Sequence, residues 1–356
     1  MKMKSRPLLI AVFLLLISCS PVSAQELSFG LSTSKALVAE PVYLDVSLCA
    51  AVPKGEVWVT NEGFLSLQAQ GPDGPCKRTF QVQSELAKPP SPWGSATTIL
   101  LTAEHGTWRK RLIVNEEYVI ERPGTYRLLI QWKTPPLDPL GKERALKQLA
   151  TTARNLRPHF LEGFSKQTEI SVEFTCPQGK DAEAYAMMAD GPCPKKPFST
   201  VSLIHYDPDK MLNLLKDFPT STYAAYVIYG RMSGFMQWEP TEDKKNMFAA
   251  GIEAGGWFSN SYPDDTGKSK DGSVWLKGQA AADWWAKWYE IILKNHPDIW
   301  FADELRLKKA VDQMCLKNYQ AAQADLETLS KDPTFKQKDK AQAYLGLMKQ
   351  KGWIKG

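Results

Sequence analysis

Trp275, Trp284, Trp285, Trp288, Tyr289 and Trp300 crowd into one stretch of the second half of the chain. An exposed indole face stacks on a sugar or anchors a protein partner, whereas a buried one fills a core. Trp284, Trp288 and Ile291 fall on one helical stripe, with Trp285 and Ile292 beside it. Packing between helices is therefore the plainer expectation, and a glycan- or partner-binding groove edge is the alternative.

Other reactive residue types give no comparable constellation. His105, His159, His205 and His296 sit in no HExxH or other metal-binding spacing. No GxSxG turn and no Walker-type phosphate loop occurs. The stretch 259–273 is polar and glycine-punctuated, but Lys268 and Ser269 occupy positions where a calcium loop from Asp264 needs an oxygen ligand and a glycine. It reads as a flexible loop. No catalytic residue, metal or cofactor is expected, and an enzyme site assembled from distant residues between the domains is kept as an alternative.

The compartment is the most legible property. Lys2, Lys4 and Arg6 precede an apolar run from Leu8 to Ile17, and Val22-Ser23-Ala24 follows. The run is far short of the about 20 residues that a membrane-spanning helix needs, so 1–24 reads as an export signal. Cleavage after Ala24 is the expected maturation; Leu16-Ile17-Ser18-Cys19 resembles a bacterial lipobox, and cleavage before Cys19, leaving it lipidated at the mature start, is the alternative. The expected location is periplasmic or secreted, with a lipid on Cys19 as the one route to a membrane, the outer membrane being favoured.

Losing the signal removes three of the 44 Lys and Arg, against 39 Asp and Glu. A nearly neutral chain with no basic stripe is not a nucleic-acid binder. In an oxidising compartment Cys49, Cys76, Cys176 and Cys193 are disulfide candidates, Cys49–Cys76 within the first half and Cys176–Cys193 between the halves. Cys315 is expected as a buried free thiol on a helix. No C-x-x-C pair is present.

From 25 to 176 the chain reads as short strands. Val42, Leu44, Val46 and Leu48 alternate with Tyr43, Asp45 and Ser47, and the same period of two recurs at Leu65–Ala69, Tyr126–Lys133 and Ile170–Phe174. Turn clusters such as Gly71-Pro72-Asp73-Gly74-Pro75 separate them. Glu121-Arg122-Pro123-Gly124-Thr125-Tyr126-Arg127-Leu128 resembles the late strand of immunoglobulin-like domains. That resemblance implies a β-sandwich and a corner hydrogen bond from Tyr126. Leu146, Leu149, Ala150 and Ala153 break the pattern at helical spacing and predict a helical insertion over 140–160. It either covers a sheet edge or meets an acidic partner through Lys142, Arg144, Lys147 and Arg154.

After a linker at 177–206, the stretch 207–356 reads as helical hairpins. Asp207-Pro208 starts a helix, and Met211, Leu214, Leu215 and Phe218 form its stripe up to Pro219. Leu215-Lys216-Asp217-Phe218-Pro219 followed by Tyr223-Ala224 matches Leu293-Lys294-Asn295-His296-Pro297 followed by Phe301-Ala302. Leu329-Ser330-Lys331-Asp332-Pro333 followed by Ala341 is a weaker third copy. The helix, Pro-turn, helix unit resembles tetratricopeptide-like repeats of bacterial envelope proteins. That resemblance implies a scaffold that holds an envelope protein or peptide, and it transfers no catalytic residue. The expected fold is thus multidomain, all-β then all-α: an Ig-like sandwich followed by a helical-hairpin array.

Overall fold

Leu44, Val46 and Leu48 are fully buried along one face of their strand, and Asp45 and Ser47 stand on the other. Pairing partners for that strand come from before and long after it in sequence. A computed structural model of the chain describes residues 25–61, 64–79, 98–103, 106–120, 122–133, 139–152, 155–161, 165–189, 208–236 and 278–355. Residues 1–24 with Cys19, Cys193, Trp275 and the stretch 259–273 lie outside the described residues.

Three sheets form. The first joins β1 (Gln25–Leu31), β3 (Tyr43–Ala50) and β8 (Thr107–Ile113) in antiparallel pairs. The second has β4 (Glu56–Asn61) between β7 (Thr98–Thr102), antiparallel, and β10 (Arg157–Phe160), parallel. The third runs in the order β2 (Lys35–Leu37), β11 (Ser165–Thr175), β9 (Gly124–Lys133), β5 (Phe64–Gly71), β6 (Gly74–Pro75), with β2 parallel to β11. Leu44, Val46 and Leu48 of the first sheet share one core with Leu128, Ile130, Trp132, Val172 and Phe174 of the third.

The expected corner at Tyr126 is present: its hydroxyl donates to Arg122 O at 2.9 Å. Gly124 turns the chain into β9 with φ +141°, and a Cβ there would meet Pro72 Cγ at 2.3 Å, so only glycine fits.

The expectation of an all-β half followed by an all-α half is not what forms; the fold is mixed α/β. Helices α1 (Val114–Glu117) and α2 (Pro139–Thr152) interrupt the strands, and α3 (Lys180–Ala189) occupies the stretch expected as a linker. Two strand pairs are parallel, which requires crossover connections that a simple antiparallel sandwich lacks. The helix α2 forms within the stretch expected as a helical insertion over 140–160, whereas sequence periodicity missed α1, α3 and the parallel pairs for physical reasons. A four-residue helix is too short to show a period. Ala184 and Met188, which α3 buries, gave no stripe long enough to separate from linker composition.

The remaining helices are α4 (Pro208–Asp217), α5 (Thr222–Met236), α6 (Gly278–Asn295), α7 (Ala302–Cys315), α8 (Tyr319–Lys331) and α9 (Lys338–Gln350). Pro219, Pro297 and Pro333 each lie in the turn between two of them. Ser221 Oγ caps α5 by accepting from Ala224 N, and Asp181 of α3 accepts from Thr222 N and Oγ1. At the other end, Asn318 N donates to Gln313 O and Lys317 N to Met314 O, closing α7 with Lys317 at φ +63°. The same pair of bonds closes α9, with Gly352 in the left-handed position. No described helix is long and apolar enough to cross a membrane.

Candidate functional site

The hairpins meet one another along their turns. His296 Nε2 lies 3.0 Å from Thr220 O, so the α6–α7 turn donates to the α4–α5 turn. Lys336 N donates to Asp303 Oδ2 at 2.9 Å, linking the α8–α9 turn to the start of α7. Stacking at one edge leaves polar helix faces outward: Lys287 and Glu290 on α6, Gln320 and Thr328 on α8, Gln342 and Lys349 on α9 are exposed.

The aromatic group divides in two. Trp284, Trp285, Trp288 and Tyr289 are all buried and pack on one another, Trp284 and Trp285 edge to face at 4.9 Å and Trp285 stacked on Tyr289 at 6.0 Å. A sugar needs an open ring face, and these four rings offer none. Trp300 instead belongs to a joint between the helices and the first sheet.

That joint is built from a spacing the sequence reading did not use, Tyr-x-x-Tyr-x-x-Tyr on α5. Tyr223, Tyr226 and Tyr229 are fully buried and each reaches the β part. The Tyr223 hydroxyl donates to Val38 O at 2.6 Å, and that of Tyr226 donates to Glu40 Oε1 at 2.6 Å. Arg111 Nη1 donates to the Tyr229 hydroxyl at 2.5 Å. Trp300 Nε1 donates to the Tyr226 hydroxyl at 3.0 Å. Asn115 ties the receiving loop down, its amide donating to Glu40 O and its carbonyl accepting from Val42 N. Within that loop Ala39 is held at φ +69°, a strained setting for a residue with a Cβ.

Arg111 sits at the open rim. The pairing of β3 with β8 sets it opposite Asp45, with which it makes a two-pronged bridge at 2.6 and 3.1 Å. Its guanidinium lies over Trp300 at 5.0 Å and Tyr43 at 5.7 Å. Glu304 of α7 completes the group at 3.8 Å. Burial raises the Glu304 carboxyl above its ordinary range, although Arg111 and the Tyr229 hydroxyl pull the other way. Burial likewise raises Tyr43, Tyr223, Tyr226 and Tyr229, so all four hydroxyls stay protonated. Protonated phenols beside a neutralised guanidinium make a fastening, with no activated nucleophile among these groups.

Glu40 gives this joint a pH signature. Burial outweighs its bonds from Leu37 N and Tyr226 and raises its carboxyl above 4.5. A carboxyl raised in the folded chain binds its proton more tightly there than in the unfolded chain. Its stabilising contribution is therefore full below about 4.5 and is lost as pH rises through the folded value. Melting temperature should fall as pH rises from about 4.5 towards neutrality, and less steeply in Glu40→Gln, whose amide carbonyl keeps the bond from Leu37 N while its NH2 donates to the Tyr226 hydroxyl. Equal slopes in the two proteins, measured by scanning calorimetry, would contradict this role for Glu40.

The cysteines do not form the expected first pair. Cys49 on β3 and Cys76 just after β6 belong to different sheets and are free thiols. The Thr107 hydroxyl donates to Cys49 Sγ at 3.7 Å. Cys176 is exposed at the end of β11, and its expected partner Cys193 lies outside the described residues. Cys315 is buried and free at the end of α7, and burial pushes its thiol up to about 12. Among the described residues no group of three His, Cys, Asp or Glu is placed to hold a metal ion. Comparison with protein-family models and with curated proteins finds no match for this chain.

Proposed function

We propose that this chain is an exported cell-envelope protein that acts as a non-enzymatic scaffold, holding a protein or peptide on the helical hairpins of residues 207–356. The observation that carries the reading is the turn-to-turn stacking of three Pro-turn hairpins, fastened to the β part by Tyr223, Tyr226 and Tyr229. Helices stacked at one edge offer a continuous surface to a partner, and the buried phenols keep that surface in fixed relation to the sheets. A tetratricopeptide-like character for the hairpins belongs to the same proposal, as does periplasmic or outer-membrane residence. The test is affinity purification of the tagged mature chain after in-cell crosslinking. A reproducible envelope protein linked within 207–356 is the expected result. Recovery of peptidoglycan or another polysaccharide, with no protein partner, would sink the scaffold and favour glycan binding.

A further inference from the structure

Helix α2 carries more apolar surface than its own sheet takes up. Its inner line is narrow: Ala145 and Leu149 are buried with Val57 and Val59 of β4. Leu140 and Leu146 stand 61% and 45% exposed, and they are the exposed large hydrophobics among the described residues. At about 100° per residue, Leu140, Glu143, Lys147 and Ala150 share the arc opposite Ala145, and Leu146 lies on one flank of it. All five are exposed. Lys147 Nζ bridges Glu143 Oε1 at 2.7 Å along the crest of that arc.

We propose that this arc pairs α2 with α2 of a second copy of the chain, antiparallel about a two-fold axis. A two-fold interface must be complementary to itself, and this arc is. With the axis near residue 145, Glu143 lies opposite Lys147 of the second copy, and Lys147 opposite its Glu143. The same register sets the large Leu140 opposite the small Ala150, and Leu146 lies near the axis. A lipid surface fits less well, because a bilayer pressed on the crest would meet the Glu143 carboxylate. The remaining cations sit off the contact. Lys142 leans over the Phe160 ring at 5.7 Å on the sheet side, and Arg144 is at the solvated margin. One helix per copy buries less than the roughly 1,200–2,000 Å² of stable complexes, so the dimer is weak and depends on concentration.

Sedimentation equilibrium of the mature chain, from low micromolar to near-millimolar concentration, tests this. The wild type should shift towards a dimer as concentration rises. Glu143→Lys or Lys147→Glu alone sets like charges opposite each other twice, and each should weaken the dimer by roughly tenfold or more. The double reversal Glu143→Lys/Lys147→Glu restores the pairing and should restore the dimer. Leu146→Asp should abolish it. All three positions are exposed, so circular dichroism and melting should match the wild type. A monomer at every concentration overturns the proposal and leaves the face to a different partner. A dimer indifferent to these substitutions, or one that the double reversal fails to restore, also overturns it.

Discussion

Trp285→Ala is expected to destabilise the fold by about 3–5 kcal/mol, as deletion of a large buried ring does. A loss of that size lowers the melting temperature by roughly 4–7 °C in a chain of this length. The Trp285 ring meets Trp284 at 4.9 Å, stacks on Tyr289 at 6.0 Å and lies under the Lys308 ammonium at 5.8 Å. Removing it opens a cavity between α6 and α7. Trp288→Ala should cost a similar amount, since that ring is buried in the same cluster. Thermal unfolding followed by circular dichroism reads both. A melting point within a degree or two of wild type, together with lost affinity for a glycan, would contradict the packing role and make these rings a binding edge.

The second large effect lies one turn away. Lys308 and Asp312 are both buried and bridge each other along α7, and the Tyr289 hydroxyl donates to Asp312 Oδ2 at 2.8 Å. Taking two charges out of water costs several kcal/mol each, and the pair is tolerable only because each charge meets the other. Lys308→Met leaves a buried carboxylate without its cation and should cost about 3–5 kcal/mol. Lys308→Met/Asp312→Leu removes both charges and should recover most of that loss, because an apolar pair of similar volume needs no desolvation. Urea unfolding of wild type, single and double variants forms the thermodynamic cycle. A double variant as unstable as the single one would contradict the compensation argued here.

Part of this architecture could be read from the chain directly, and the reason is local. Leu44, Val46 and Leu48 alternate on β3 as their spacing requires, and Pro219, Pro297 and Pro333 lie between helices because proline lacks the amide a continuing helix needs. The corner at Tyr126 followed from eight consecutive residues. What escaped was set by pairing at long range. Asp45 and Arg111 lie 66 residues apart and meet because β3 pairs with β8. Val38 and Tyr223 are 185 apart. No local period announces that Tyr43, on the polar side of its strand's pattern, is buried beneath helices. The three evenly spaced tyrosines of α5 were visible, but a partner for each hydroxyl was not. The division into an all-β and an all-α half failed for the same reason: it sorted segments by their own periodicity and ignored what covers the first sheet.

The scaffold proposal is tested most directly by position. A photo-crosslinking amino acid at Lys287 on α6 or Gln342 on α9, both exposed, is compared in living cells with one at exposed Arg127 on β9. The account predicts that the helical positions trap the same envelope protein and that Arg127 does not. Trapping at Arg127 alone, or no protein adduct at either helical position, would contradict a partner held on the hairpins.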